Sequence, residues 1–261
     1  MVEKLTVISN QNIADRIYEL KVSGPAVADL KQPGQFVHIK TGEGSLHMLR
    51  RPISICEIDQ ESNSFTMLFR AEGEGTKRIA ALHEGDEIDI LAPLGNGFPV
   101  DKAKRKALLV GGGIGVPPLY ELSKQLNQNG IETVHVLGFR SSKDVFYENQ
   151  FKALGETHIV TEDGSQGEKG FVTTVIDQLP IDYDIFYTCG PKPMLKVLNE
   201  LETLKDVPGY ISLEERMGCG IGACFACVCH VPQHPTDYVK VCTDGPVFER
   251  GAVVLLSLIH I

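Results

Sequence analysis

The sequence lacks the features that mark two large functional classes. It has no run of basic residues, and 34 acidic against 25 basic side chains give it a formal charge of −9. Proteins that bind nucleic acid usually present a basic patch, so we expect no nucleic-acid partner. No stretch approaches the ~20 apolar residues of a membrane span. The N-terminal residues also lack the apolar segment of a signal peptide, so we expect no membrane association.

The remaining composition is that of an ordinary globular protein. The 261 residues are 43% hydrophobic and 23% charged, which allows one large or two ordinary domains. Seven cysteines in a chain without a leader indicate a reducing compartment, where thiols serve a metal rather than disulfides. We therefore expect a cytoplasmic protein.

Three regions differ in their pattern. Residues 1–101 contain short alternating runs separated by Gly and Pro, which predict a β-barrel or sandwich. In residues 102–208, buried-type strands alternate with helical segments, including predicted helices over 145–154 and 171–179. This alternation predicts a doubly wound parallel sheet. Residues 209–256 form a short cysteine-rich module.

The cysteine-rich module carries the most specific motif. Cys219, Cys224 and Cys227 follow the C-x4-C-x2-C spacing, and Cys242 is a fourth cysteine further along the chain. This is the plant-type [2Fe–2S] pattern. The surrounding glycines allow the close approach and unusual φ angles that a loop around a cluster needs. Structural zinc and disulfides are the alternatives, but zinc usually shows two paired half-sites, and only one C-x2-C pair is present. Cys229 could replace Cys227, although we expect it to be a neighbour only.

A glycine-rich loop lies between the first strand and helix of the α/β region. The context suits the pyrophosphate of a dinucleotide, although Val116 stands where the G-x-G-x-x-G motif has its third glycine. A plain βα turn is the alternative, but four glycines in five residues exceed what a turn needs. The candidate ligand-binding residues are Gly111, Gly112, Gly113 and Gly115.

Two further strand ends support a dinucleotide site, because ligands bind at the carboxyl ends of the strands in such sheets. One carries Cys189 and Gly190, although a buried cysteine is often only a small hydrophobe. The other carries Glu162 and Asp163, which could accept hydrogen bonds from a ribose. Acids there would disfavour a 2′-phosphate, so we expect NAD rather than NADP.

The barrel region has a weaker candidate site. An Arg-Pro turn at Arg51 and Ser54 could bind a diphosphate or a flavin, but such a turn often has no ligand. The stretch from Gly73 to Thr76 strengthens it, because it predicts a helix N-terminus capped by Thr76 that could bind phosphate. We find no nucleophile and base in a catalytic arrangement, so no catalytic side chain is assigned, and Glu214 and Glu215 receive no role.

Together these motifs resemble the ferredoxin–NADP reductase superfamily, whose members have a flavin-binding β-barrel followed by a nicotinamide-binding α/β domain. Three features make a more specific resemblance possible: the cysteine spacing, Pro-Leu-Gly-Asn-Gly-Phe at 93–98 and Arg-Met-x-Cys at 216–219. The chain resembles the electron-transfer subunits of bacterial class 1B dihydroorotate dehydrogenase from about residue 5 to 250.

The resemblance implies three cofactors and a partner. A [2Fe–2S] cluster would be held by the four cysteines, and electrons would pass from it through FAD to NAD⁺. The partner would be an FMN-containing catalytic subunit that oxidises dihydroorotate, in a heterotetramer with two subunits of each kind. The FAD contacts implied are Arg51, Pro52, Ile53, Ser54, Leu68, Phe69, Arg70, Gly75 and Thr76.

The sequence departs from the family pattern in two places, and two alternative functions stay open. Ile53 stands where many superfamily members carry an aromatic residue that stacks on flavin, so Phe69 is the candidate for stacking. Residues 256–261 resemble the translation of a sequencing-library adapter, and we assign them no function. The alternatives are a subunit of another redox complex, of the sulfhydrogenase, sulfite reductase or bifurcating ferredoxin:NAD type, and a zinc-stabilised interaction module.

Overall fold

The N-terminal strands close into a six-stranded antiparallel barrel in a computed structural model that describes residues 1–42, 48–232 and 234–255. Of the two all-β architectures predicted for this region, a barrel and a sandwich, the chain forms the barrel. Its strands pair in the order β1-β2-β5-β4-β3-β6, and β6 returns to β1. The elements are β1 (Val2–Ala14), β2 (Ile17–Ser23), β3 (Phe36–Ile39), β4 (Arg51–Asp59), β5 (Ser64–Arg70), α1 (Glu74–Ala80) and β6 (Glu87–Leu94).

The second region forms a seven-stranded sheet and a separate hairpin. The sheet order is β10-β9-β8-β7-β11-β12-β15, with all pairs parallel except the last. The strands are β7 (Lys106–Gly112), β8 (Glu132–Phe139), β9 (Glu156–Thr161), β10 (Glu168–Lys169), β11 (Ile185–Cys189), β12 (Gly209–Ser212), the hairpin β13 (Val228–Val231) and β14 (His234–Lys240), and β15 (Val247–Glu249). The helices are α2 (Pro117–Gln128), α3 (Glu148–Lys152), α4 (Val172–Ile176) and α5 (Lys192–Glu200).

Helices cover both faces of this sheet, which confirms the doubly wound architecture. Alternate residues of a strand point to opposite faces. Leu109 accordingly packs in one buried cluster with Leu122 of α2, whereas Leu108 packs in another with Val175 of α4 and Leu198 of α5. None of the helices in the described ranges is long and apolar enough to cross a membrane.

The sheet continues past residue 208. β12 pairs in parallel with β11, and β15 returns antiparallel beside β12, so both extend the sheet from the cysteine-rich region. The boundary that the sequence pattern predicts at residue 208, between the α/β region and the cysteine-rich module, thus lies just before a strand of the same sheet, and it remains a prediction. Residues 256–261, the suspected adapter sequence, lie outside the described residues.

Two predicted helices are shorter than expected. The predicted helix over 145–154 is only α3, and the one over 171–179 is only α4. Tyr147 has a φ of 60°, a left-handed conformation that a continuing right-handed helix cannot contain.

Polar contacts join the barrel to the α/β region. The Tyr147 hydroxyl donates a hydrogen bond to Glu19 Oε2 at 2.6 Å. The Ile58 backbone N–H donates to Glu121 Oε2 at 2.9 Å, and Lys124 Nζ lies 2.6 Å from Glu57 Oε1. These contacts fix the orientation of the two halves that border the cleft described below.

We expect Tyr147→Phe to lower the free energy of unfolding by about 2 kcal/mol. The phenol is buried and its partner is a carboxylate, and hydrogen bonds to charged groups contribute about 1.5–3 kcal/mol. Chemical denaturation measures the change. Tyr120→Phe is the control, because that ring packs edge-on against Tyr147 and its hydroxyl has no hydrogen-bond partner within the described part of the chain. Equal loss in both variants would contradict the role of the Glu19 contact.

Candidate functional site

A cleft of about 1110 Å³ follows the junction between the barrel and the α/β region. Its walls come from β4 and β5 of the barrel and from the carboxyl ends of β7, β8 and β11. Its far end is formed by the segment after β12, which includes Glu215 and Met217. The position at the carboxyl ends of the sheet is where open α/β folds bind ligands.

Most of the barrel residues assigned to FAD meet in one wall of this cleft. Gly75 does not line the wall but lies directly behind Arg51, and a Cβ there would be 2.7 Å from Arg51 Nε. Glycine at this position therefore leaves room for the Arg51 guanidinium group to pack against α1. The wall residues are Arg51, Pro52, Ile53, Ser54, Leu68, Phe69, Arg70 and Thr76.

The two arginines of the wall fit an anionic cofactor. Arg70 Nε is buried and has no hydrogen-bond partner among the described residues. A buried donor without a partner is costly, so it indicates that a ligand supplies the acceptor. The pyrophosphate of FAD has the charge and the oxygen acceptors that Arg51 and Arg70 can bind.

Thr76 is not the helix cap that the sequence suggested. The N-cap of α1 is Gly73, and Thr76 lies within the first turn. The Thr76 hydroxyl donates to the Gly73 carbonyl at 3.0 Å and accepts from the Glu72 N–H at 3.2 Å. The threonine side chain therefore joins the loop before α1 to the first turn of the helix. Thr76 also borders the cleft.

Phe69 does not offer its ring to a flavin. The ring is 1% exposed and stacks on Tyr18 at 5.9 Å between centroids, in the barrel core. Alternation along β5 explains this, because neighbouring residues face opposite sides of the strand. Ile53 is half-buried and borders the cleft, so an aliphatic side chain occupies the expected stacking position.

The glycine-rich loop forms the opposite wall. Gly112, Gly113 and Gly115 line the cleft, whereas Gly111 lies beneath them. Gly113 has a φ of 53°, and a Cβ at Gly115 would lie 2.4 Å from the Cys189 carbonyl oxygen. The loop therefore needs glycine both for its conformation and for its approach to β11.

Cys189 and Gly190 also line the cleft, at the end of β11. Burial raises the pKa of the Cys189 thiol to about 12, and a contact with Ser212 only partly offsets this. The thiol is therefore neutral at physiological pH, which suits a contact with a cofactor rather than a nucleophile.

Asp163 lies beside the cleft rather than in it. It borders a smaller polar recess and accepts hydrogen bonds from the backbone and hydroxyl of Ser165, which lower the pKa of its carboxyl group. Glu162 borders both the cleft and the recess, as does Arg140. Of the two acids at this strand end, Glu162 therefore has direct access to the cleft.

Several lining residues carried no signal in the sequence. They are apolar side chains from separate segments, and no motif sets an apolar cleft residue apart from a core residue. Pro191 is the exception, because it directly follows Cys189 and Gly190 in the sequence. These residues are Phe36, Phe171, Pro191, Met194, Leu213 and Met217.

The four cysteines of the motif lie in and around one loop, beside the barrel. Cys227 and Cys242 are buried with their sulfur atoms 3.3 Å apart, and the Cys224 N–H lies 3.3 Å from Cys219 Sγ. Burial opposes ionisation of Cys219, but backbone N–H groups of the loop outweigh it and lower the pKa to about 7. Gly220 and Gly222 both have positive φ, as a loop wrapped around a cluster requires.

The geometry does not favour the zinc or disulfide alternatives. All seven cysteines are free, and 3.3 Å between two sulfur atoms far exceeds the roughly 2.05 Å of a disulfide. Structural zinc usually shows two paired half-sites, whereas the loop has one C-x2-C pair and the glycines of the plant-type [2Fe–2S] pattern.

Cys229 has different surroundings. Its sulfur lies 3.8 Å from Glu215 Oε1, and the same carboxylate forms an ion pair with Lys192 at the start of α5. Burial and the nearby carboxylate raise the pKa of the Cys229 thiol to about 11. Glu215, which received no role in the sequence analysis, thus joins α5 to the hairpin of the cysteine-rich module.

Comparison with known proteins agrees with this arrangement. Residues 214–254 match the iron–sulfur cluster binding domain of dihydroorotate dehydrogenase B. Residues 109–200 match the oxidoreductase NAD-binding domain. The two matches cover the cysteine loop and the glycine-rich side of the cleft.

Relatives that match nearly the whole chain share one name. The chain is 56% identical over 257 residues to the dihydroorotate dehydrogenase B (NAD(+)) electron transfer subunit of Bacillus cereus strain G9842, covering 97% of this chain and 98% of the relative. The Bacillus anthracis protein of strain CDC 684 / NRRL 3495 is equally similar.

Solved structures share the fold. The NADH-dependent reduced ferredoxin-NADP oxidoreductase superposes with a TM-score of 0.86 at 30% identity, over 96% of this chain and 90% of that one. A Neisseria gonorrhoeae ferredoxin NADP+ reductase superposes with a TM-score of 0.67 at 16% identity, over 82% of this chain and 94% of that one.

These likenesses span nearly the whole chain and include both motif regions. They agree with an oxidoreductase that uses FAD, a [2Fe–2S] cluster and NAD, in a complex with a catalytic partner. The chain belongs to the family of electron transfer subunits of NAD(+)-dependent dihydroorotate dehydrogenase B.

Proposed function

We propose that this chain takes electrons from an FMN-containing subunit that oxidises dihydroorotate and passes them through the cluster and FAD to NAD⁺. One observation carries the proposal. A single cleft joins the barrel wall to the glycine-rich loop and reaches Met217, two residues before Cys219 in the cysteine-rich module. Held by the cysteine loop, a cluster would supply one-electron transfer, and a flavin at the barrel wall would couple single electrons to the hydride that NAD⁺ accepts.

The residues of the chain bind and orient these groups. We assign the FAD pyrophosphate to Arg51 and Arg70, and the NAD pyrophosphate to the loop from Gly112 to Gly115. Arg70 connects the two sites, because a Cβ at Gly113 would lie 3.9 Å from Arg70 Nη2. We assign the hydrogen bonds of the NAD ribose to Glu162, because this residue borders the cleft.

The cluster ligands proposed are Cys219, Cys224, Cys227 and Cys242. The first two are partly exposed and the last two are buried. The proposed cluster site is thus partly exposed at Cys219 and Cys224 and buried at Cys227 and Cys242. This arrangement supports an outer face that receives electrons from another chain in the cytoplasm.

The surface around the loop is apolar. Ile221, Phe225 and Tyr238 are 58%, 63% and 45% exposed, and the last two rings pack against each other at 5.4 Å. Exposed aromatic groups of this size favour a protein interface. We propose that the FMN-containing subunit covers this patch, in an assembly with two subunits of each kind.

Co-expression with that subunit tests the proposal. The purified complex is expected to reduce NAD⁺ with dihydroorotate, and Phe225→Glu is expected to separate the subunits and abolish this activity. The variant should keep its visible spectrum and its NADH-to-dye activity. Ile181→Glu is the matched control, because Ile181 is 57% exposed on a loop outside the cleft and the patch. A stable, active complex with Phe225→Glu would contradict the proposed interface.

A second candidate is a subunit of another redox complex. The 30% identity and close superposition with the NADH-dependent reduced ferredoxin-NADP oxidoreductase favour it, because that structure concerns flavin-based electron bifurcation. Co-purification separates the two functions. A partner that contains FMN and oxidises dihydroorotate supports the first, whereas a ferredoxin-dependent partner supports the second.

A further inference from the structure

His38 lies on the outer side of the barrel, beneath the cysteine loop. It occupies the middle of β3, where Val37 and Ile39 point into the barrel core and Phe36 points the other way. Alternation places His38 on the same side as Phe36. The side chain is nevertheless 0% exposed, because the cysteine-rich module covers it.

The covering group is the backbone of the ligand loop. A Cβ at Gly220 would lie 2.6 Å from His38 Nδ1, and Gly220 has a φ of 73°. The loop therefore needs glycine here for two reasons: its conformation and its contact with the imidazole ring. Gly220 directly follows Cys219, so the ring packs against the loop beside the first proposed cluster ligand.

The His38 ring has no hydrogen-bond partner in the described residues. Both ring nitrogens are buried, and the nearby backbone of Arg50 and Cys219 makes no hydrogen bond of normal geometry with them. His135 is also fully buried, but it bonds through both nitrogens, to Ser123 Oγ at 2.8 Å and Thr157 Oγ1 at 3.0 Å. His38 thus differs from a histidine whose role is only structural, since buried polar groups are normally paired.

His38 also connects two cofactor regions. In the β3–β4 ladder it pairs with Pro52, which lies in the strand segment assigned to FAD. Its backbone is therefore fixed to the flavin side while its ring contacts the cluster loop. His38 therefore couples the position of the strand assigned to FAD to the position of the cysteine loop.

We propose that His38 is a positioning residue for the cluster, and that its ring N–H donates a hydrogen bond to a cluster sulfur. This inference rests on the four-cysteine site proposed above. Hydrogen bonds to the sulfur atoms tune the potential of such clusters. A donor stabilises the more negative, reduced form, so its loss makes the reduction potential more negative.

His38→Leu in the full-length chain with cluster and FAD tests the role. The variant is expected to change the oxidised-to-reduced ratio of the cluster about tenfold, which for one electron corresponds to about 59 mV. His38→Asn keeps an N–H donor and should restore part of this shift. His83→Leu, at an exposed position on the barrel, should leave the potential unchanged. The measurements are a redox titration followed by electron paramagnetic resonance, iron content and thermal unfolding.

The outcomes separate this inference from the proposed function. An unchanged potential and spectrum in His38→Leu at full iron content would overturn the role of His38. If the leucine variant loses iron, retention by His38→Asn supports the positioning role, and equal loss in both overturns it. An unaltered chain without any cluster signal would instead remove the proposed function.

Discussion

Cys224→Ser is expected to abolish dihydroorotate-dependent NAD⁺ reduction while the flavin site survives. The hydroxyl of serine stays protonated near neutral pH and cannot replace a thiolate ligand. The cluster is lost, and the entry of electrons from the partner ends with it. The FAD and NAD walls are formed by other segments, so FAD content and NADH-to-dye activity should largely persist.

Iron content, the visible spectrum and the two activities together measure this effect. Cys229→Ser is the matched control, because Cys229 is a buried cysteine of the same module that contacts Glu215. We expect it to keep the cluster. Loss of flavin reduction by NADH in Cys224→Ser would show that the cysteine loop and the flavin site are not separate. Loss of iron in Cys229→Ser would show that the ligand set is misassigned.

Gly115→Ala is expected to remove NADH turnover without releasing FAD. The added methyl group would meet the Cys189 carbonyl oxygen at 2.4 Å and the Gly190 nitrogen at 2.5 Å. Both are backbone atoms of the strand end that lines the cleft, so they cannot move aside as a flexible side chain would. The glycine-rich loop must shift, and the wall assigned to the NAD pyrophosphate shifts with it.

Steady-state NADH oxidation with a dye acceptor, together with bound FAD, measures this loss. The control is Gly130→Ala in the same region. Gly130 has a φ of 76° but no neighbour within 4 Å of an added Cβ. Alanine there carries only the conformational cost of about 1–2 kcal/mol. Near-normal NADH oxidation in Gly115→Ala would contradict the assignment of the loop to NAD, and equal losses in both variants would indicate general destabilisation.

Local patterns predicted the architecture because each is set by nearby residues. Alternation with Gly and Pro turns gave the all-β first region, and the change of period at residue 102 gave the α/β region. The spacing of Cys219, Cys224 and Cys227 indicated a cluster because those thiols must converge within one loop. Helix ends were less predictable, as Tyr147 shows: it has a left-handed conformation, and its hydroxyl contacts Glu19 across the junction, neither of which the sequence pattern specifies.

Side-chain roles in the cleft depended on contacts between distant segments. Thr76 resembled a cap, but Gly73 precedes the helix, and Phe69 resembled a stacking residue although it faces the barrel core. Asp163 and Glu162 are adjacent in sequence, yet only Glu162 reaches the main cleft. The direction of a side chain depends on strand register and on packing, which a motif does not specify.

The sequence alone determined the chemistry that the chain can hold: thiols at cluster spacing, glycines at a strand end and arginines in the barrel. Tertiary structure alone brought these groups around one cleft and placed His38 against Gly220. The physical reason is the range of each interaction. Ligand spacing and turn conformation act within a few residues, whereas burial of a side chain from one domain under the backbone of another exists only after the whole chain has folded.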